Sequence, residues 1–284
     1  MTEFTPITFE NISLVEEYFK KDKSGFCDFT PFVLLMWQKM YKTEFAIGDS
    51  VLYLRYTMDG EKKYALLCDC LESSLAPLKE LEENLTLTLV CENGLNRLDE
   101  LGEKYTAETS EDWWDYVYLS ENLASLSGKK YAGQRNHINK FETICSNWKY
   151  EKITSANICY IAEFFENIYT PTGNETHEYE ANMLREYFKY FQNFPMLGGF
   201  VSSEGKIVSF ALGEILSDTL FVHVEKADRE VQGSYPIIVR EFARANPSIL
   251  INREEDMGIP GLRTSKKSYH PHMLLKKYNV KIGL

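Results

Sequence analysis

Residues 153–165 read ITSANICYIAEFF, and residues 7–19 read ITFENISLVEEYF; aligned without gaps they share Ile, Thr, Asn, Ile, Glu and Phe at six of thirteen positions. A repeat within one chain changes the reading of the whole fold, so it comes first. Two independent β-α starts can look alike by chance, and the order of the following elements decides between the readings. After Ile153 come a helix near 155–169, a second near 176–193, and three strands in LGGFVS, KIVSFALGEI and TLFVHVEKA, separated by the turn residues Glu204-Gly205 and Ser217-Asp218. GSYPIIVREFARAN then reads as a helix, SILIN as a strand, the stretch after Gly258 as a short helix, and MLLKKYNVKIG as a closing strand pair. After Ile7 the same order begins again, with TPFVLLMWQKMYK as a second helix and FAIGDSVLYLRY and KKYALLCDC as strands.

The pattern predicts an α/β protein with mixed sheets in two similar lobes, residues 1–125 and 147–284, joined by a connecting helix over 126–146. That connector, LSGKKYAGQRNHINKFETI over 126–144, sets Tyr131, Ile138, Phe141 and Ile144 in one apolar stripe and Lys129, Lys130, Arg135, His137 and Lys140 on other faces. Its basic character stands out in a chain whose 31 basic and 42 acidic residues leave a net charge of −11. Such a balance argues against a DNA-coating protein or one resting on anionic lipid, while leaving room for a local basic pocket.

At 284 residues and 44% apolar composition, the chain has material for a large core. MTEFTPITFENISLVEEY has neither a basic n-region nor an apolar h-region, and the longest apolar run, about Phe32 to Trp37, falls far short of a span, so a cytoplasmic protein without a transmembrane segment is expected. Six cysteines at irregular spacing read as reduced thiols, with Cys68-x-Cys70 as packing rather than a zinc site, and His270-x-His272 lacks a third ligand; no bound metal is expected. DWWDYVY over 112–118 reads as aromatic core of the first lobe. G-x-S-x-G, G-x-x-x-x-G-K-[ST] and G-x-G-x-x-G are all missing, which weakens hydrolase, P-loop and Rossmann readings.

Four stretches carry a resemblance: SGKKYAGQRNHINKF, HVEKAD, GSYPIIVREFA and INREEDMGIPGLRTSKKSY. Together they resemble the phosphatidylglycerol lysyltransferase C-terminal domain family, including its stand-alone members. The resemblance implies two tandem acetyltransferase-like (GNAT) lobes, related in architecture to Fem-type enzymes that move amino acids from aminoacyl-tRNA. It implies transfer of an aminoacyl group to a small-molecule or lipid-linked acceptor, with no permanently bound cofactor. Coenzyme A-dependent N-acetyl transfer, with acyl-coenzyme A as co-substrate, is the alternative, and a catalytically silent binding module of the same fold is a third reading. The acetyltransferase phosphate loop, [QR]-x-x-G-x-[GA], would fall at Glu230 to Tyr235, where the first and last positions depart from it.

An aminoacyl ester is already activated, so its transfer needs positioning, a proton acceptor and oxyanion donors. Glu225, closing the strand where an acetyltransferase-like lobe opens a gap, is the candidate general base; a solvated strand-end acid is the competing reading. His223, two residues earlier, either orients Glu225 or is a core histidine. Gly233 and Ser234 at a helix start, with Arg135, are candidate substrate-binding residues. In INREEDMGIPGLRTSKKSYHP (251–271), Leu262, Lys266 and Tyr269 share a helix face, so Arg263 and Lys266 become candidates for gripping an anion and Tyr269 for donating a proton. The bland alternative is an ion-pair network. The second lobe is expected to hold the site, because the first shows no comparable polar cluster.

Overall fold

A computed structural model describes residues 3–48, 50–58, 60–191 and 196–283. The chain forms two units: Met1–Asp115 with Glu255–Pro260 and Leu274–Leu284, and Tyr116–Glu254 with Gly261–Met273. The first half of the chain supplies strands β1 (Thr5–Pro6), β2 (Glu44–Gly48), β3 (Val51–Met58), β4 (Glu61–Leu67), β5 (Thr86–Val90), β6 (Tyr105–Glu108) and β7 (Asp115–Leu119). The second half supplies β8 (Lys149–Lys152), β9 (Leu197–Ser203), β10 (Lys206–Leu216), β11 (Thr219–Ala227), β12 (Leu250–Asn252), β13 (Met273–Leu275) and β14 (Tyr278–Ile282).

The two mixed seven-stranded sheets have equivalent orders, β1-β2-β3-β4-β5-β14-β6 and β8-β9-β10-β11-β12-β7-β13. In each, the first four strands are antiparallel neighbours and the fourth and fifth are parallel. The repeat reaches atomic detail. Asn11 Oδ1 accepts the N–H of Thr8 at 2.8 Å while its Nδ2 donates to the Pro6 carbonyl at 2.9 Å. Asn157 does the same with Thr154 at 2.7 Å and Lys152 at 3.0 Å. The shared asparagine therefore closes one turn twice, between the first strand and first helix of each unit.

The observed units differ from the boundaries expected at 125 and 147. The closing strands do not form a pair within the second lobe: β13 ends the second sheet, whereas β14 enters the first between β5 and β6. Reciprocally β7, from the first half, lies between β12 and β13. Burial explains the placement of β14, whose Val280 and Ile282 are 0% and 7% exposed in a core with Tyr64, Leu85 and Leu87. Tyr116 and Tyr118, expected in the first lobe's core, are likewise buried on β7 in the second unit.

The basic segment is no connector either. Its helix, Ala132–Ile144, belongs to the second unit, with Tyr131, Ile138 and Phe141 buried as the stripe requires, whereas Ile144, the helix's last residue, is 64% exposed. Lys129, Lys130 and Lys140 are exposed. The helix expected near 176–193 runs Glu175–Tyr190, and residues 192–193 lie outside the described ones.

Strand exchange makes a testable demand. A fragment of residues 1–146 lacks β14, so it is expected to show no cooperative urea transition. Deleting residues 274–284 from the full chain forfeits burial of Val280 and Ile282, about 1.5–3 kcal/mol each. A cooperative transition of unchanged midpoint after that deletion, followed by tyrosine fluorescence, would show that β14 does not complete the first sheet.

Candidate functional site

In the second unit, β11 and β12 pair in parallel at Thr219–Leu250, Leu220–Ile251 and Phe221–Asn252, and the pairing stops there. Beyond it, β11 carries His223 and Glu225, and the chain leaving β12 carries Arg253 and Glu254. Side chains span the opening. The Arg253 guanidinium donates through Nη2 to Glu225 Oε2, and His223 Nδ1 donates to Glu254 at 2.7 Å while Nε2 donates to Glu214 on β10 at 2.9 Å.

Burial sets the electrostatics. The His223 side chain is 0% exposed, and desolvation works against its charge, but the hydrogen bonds to Glu214 and Glu254 outweigh it and push the imidazolium up to about 9. His223 is therefore a charged clasp between two carboxylates at neutral pH, bound to Glu254 rather than to Glu225. Arg253 is 7% exposed, with its Cζ 4.8 Å from the Tyr269 ring centroid and 5.7 Å from that of Tyr118. Burial raises the Tyr269 phenol to about 12 against the opposing pull of Arg253, so it stays protonated at neutral pH.

The sequence candidates separate into those at this opening and those elsewhere. Glu225 and Tyr269 both belong to the Arg253 group. Lys266, buried on the helix Pro260–Ser268, donates to the carbonyls of Arg253 and Glu254, and its own carbonyl accepts the Tyr118 hydroxyl at 2.8 Å. Its ammonium fixes the backbone that presents Arg253 to Glu225 and Glu254 to His223, which gives the base at 266 a structural role beside the charges at 253–254. Arg263 is half-buried on that helix. Arg135 instead donates to the carbonyls of Leu126 and Gly128, closing the turn ahead of its own helix. Gly233 sits at φ 86°, where a Cβ would meet the His137 carbonyl oxygen at 2.4 Å, and the Ser234 hydroxyl donates to the Asp228 carbonyl at 2.7 Å. Both serve helix packing and the local turn.

The first unit holds a polar cluster where none was expected. Lys277 Nζ lies 2.5 Å from Asp28, 2.6 Å from Asp115, 3.5 Å from Cys27 Sγ and 3.7 Å from Glu255. The Cys27 N–H donates to Asp115 at 2.8 Å. Burial opposes the Lys277 charge, but Asp115 and Asp28 hold it well above the usual lysine range. Burial first, and Asp115 next, push the Cys27 thiol well up, so it is not a poised nucleophile. The ligand atoms of Cys27, Asp28 and Asp115 lie within 4.8 Å of one another, yet the Lys277 ammonium reaches all three and is the cation of this group. Cys27 and Lys277 stand 250 positions apart, so spacing gave no signal. The sequence did hold one clue in Asp115, an acid opening a buried strand.

The two units repeat one mixed-sheet topology, and in the second a group of charged and phenolic side chains lies where β11–β12 pairing ends. The profile of the family described as phosphatidylglycerol lysyltransferase, C-terminal, matches residues 33–281, and the chain belongs to that family. A conserved protein of unknown function from Bacteroides thetaiotaomicron superposes with TM-score 0.92 at 31% identity over 100% of both chains. L-PGS from Bacillus licheniformis shares the fold, with TM-score 0.63 at 11% identity over 95% of this chain and 91% of that one. FemX does so with TM-score 0.60 at 12% identity, over 98% and 97% of the two chains. The chain spans 62% of the length of a curated relative from Mycoplasmoides gallisepticum, at 25% identity over 195 residues. Among the described residues no helix is long and apolar enough to cross a membrane.

Two measurements test this electrostatic picture. Because the folded imidazolium titrates near 9 rather than 6.5, His223 contributes on the order of 3 kcal/mol that is complete below pH 6.5 and lost as pH rises through about 9. The stability gap between wild type and His223→Gln in urea should therefore narrow between pH 6 and pH 9.5; a constant gap means the ring is neutral in the fold. Lys277→Met leaves Asp115 buried without its cation, and a loss of about 3–5 kcal/mol in urea unfolding is expected. A loss below about 1 kcal/mol would show that the acids do not depend on Lys277.

Proposed function

We propose that the second unit transfers an aminoacyl group from aminoacyl-tRNA to a small-molecule or lipid-linked acceptor. The observation that carries this reading is the end of β11–β12 pairing at Phe221–Asn252, with Glu225, Arg253 and Tyr269 grouped just beyond it. A parted pair of strands admits an extended acyl donor to backbone edges, and the reactive carbonyl then lies beside the charged group. Membership in a family described as a lysyltransferase supports an acyl transfer of this kind.

The chemistry asks little of the protein. Glu225, whose side chain is 18% exposed, keeps Oε2 on Arg253 and takes the acceptor's proton on Oε1. The acceptor's nucleophile attacks the ester carbonyl, and the tetrahedral adduct expels the ribose oxygen of the tRNA. Tyr269 delivers a proton to that oxygen. No covalent enzyme intermediate is needed, because the ester is already activated. Exposed Lys129, Lys130 and Lys140 provide local positive charge for the nucleic acid on an otherwise acidic chain.

The purified protein is to be tested for binding of aminoacyl-tRNA, free tRNA and acetyl-coenzyme A at two salt concentrations. Affinity for aminoacyl-tRNA that falls steeply with salt is expected, and replacing Lys129, Lys130 and Lys140 by alanine should shrink the log–log slope by about 2–3, roughly one per phosphate contact. Salt-independent binding of acetyl-coenzyme A, without tRNA binding, would replace this reading with N-acetyl transfer.

A further inference from the structure

Arg253 is bound less completely than its burial demands. One nitrogen, Nη2, donates to Glu225, while Nε and Nη1 are buried and have no hydrogen-bond acceptor among the described residues. A guanidinium presents five N–H donors in a planar fork that commonly grips a carboxylate through two parallel bonds. Here the carboxylate holds one tine only. The other donors lie beside the rings of Tyr118 and Tyr269, whose faces stabilise the cation without accepting conventional hydrogen bonds.

The surroundings hold this geometry in place. Lys266 donates to the Arg253 carbonyl and Tyr118 donates to the Lys266 carbonyl, so the residue's backbone and one flanking ring are tied to the same helix. The Glu254 N–H is held by Asn252 Oδ1 at 2.8 Å, fixing the chain on the other side. A cation so constrained, with donors unspent, is arranged before any ligand arrives, which is the requirement for stabilising charge that develops during a reaction.

We infer that Arg253 is the oxyanion donor of the second unit, its Nε–H and Nη1–H receiving the carbonyl oxygen of the acyl ester. The inference rests on the acyl-transfer reading above for its substrate, though the donor site itself stands on the geometry of Arg253. As the acceptor's lone pair forms the new bond to the carbonyl carbon, the carbonyl π pair moves onto oxygen beside the guanidinium. When that pair returns, the bond to the ribose oxygen breaks and its electrons leave with the tRNA. The proton lost by the acceptor goes to Glu225 and the one gained by the leaving oxygen comes from Tyr269; Glu225 then gives up its proton to solvent and the Tyr269 phenolate takes one back, so charge and atoms balance and the protein is restored without any oxidant or metal. Arg253 is charged before, during and after the step.

Two readouts test it. In the first, the side-chain Nε–H resonance of Arg253, assigned by its loss in Arg253→Lys, is followed while acetate is added as a small oxyanion. A saturable downfield shift that is not reproduced by equal ionic strength of chloride is expected; an unmoved resonance overturns the donor site. In the second, aminoacyl transfer from aminoacyl-tRNA to hydroxylamine is measured for Arg253→Lys, which keeps a buried cation for Glu225, with urea unfolding confirming its fold. A fall in kcat of about a hundredfold or more with KM changed less than about threefold is expected for loss of oxyanion donors. Transfer at wild-type kcat by the folded variant overturns the role of Arg253 and leaves the acyl-transfer reading intact. An acetate-dependent shift in a protein without transferase activity does the reverse, keeping the oxyanion site and removing the aminoacyl donor.

Discussion

The end of pairing between Phe221 and Asn252 is the constraint on which the charged group of the second unit depends. Beyond it, one side of β11 has lost a neighbouring strand, and unpaired backbone in a buried sheet is costly unless something else occupies the gap. Past that point side chains link β11 to the chain leaving β12, Arg253 reaching Glu225 and Glu254 reaching His223. They link the two segments without continuing the ladder. Apolar residues would have closed the split by packing, and a continued ladder would have removed it.

The strands that complete each sheet extend the same economy to the whole chain. Each sheet takes six of its seven strands from its own half of the sequence and the remaining one from the other half, β14 in the first sheet and β7 in the second. Both borrowed strands start beside a buried polar group: Asp115 opens β7, and Lys277 immediately precedes β14, with Lys277 Nζ 2.6 Å from Asp115 Oδ1. An ion pair this deep is weak evidence of added stability, since desolvation offsets much of the attraction, but it strongly penalises any register that separates its members. It therefore adds to the register that burial of Val280 and Ile282 already imposes on β14.

Much of the fold could be read from the sequence because local signals were repeated. The Thr-x-x-Asn-Ile motif encodes a side-chain turn that depends on residues at most five positions apart, and it recurs as the same pair of hydrogen bonds at Asn11 and Asn157. The apolar stripe of Tyr131, Ile138 and Phe141 was equally local. Partnership between distant strands was not, because alternation tells which residues are buried and carries no record of which sheet receives them. The same limit governed the site. Glu225 and Tyr269 became candidates through their residue types and their place on an implied fold, whereas Arg253 read as one of several charges in a mixed run. Nothing in that run distinguishes an arginine 7% exposed between two aromatic rings from its exposed neighbours.

Comparing the two buried cations separates scaffolding from chemistry. Lys277 has three donors, and the oxygens of Asp28 and Asp115 lie at 2.5 and 2.6 Å with Glu255 and the Cys27 sulfur slightly farther off, so its charge is neutralised from several sides. Such a group is most stable as it stands, and anything bound to it would have to displace a better partner. Arg253 has more donors and fewer acceptors, one carboxylate and two ring faces, although leaving a buried donor unmet costs about 1–3 kcal/mol. Satisfying it would have required only a second carboxylate oxygen turned toward the fork. A fold that surrounds one buried cation with oxygens and leaves another short of them keeps, in the second, binding energy that a developing negative charge can use.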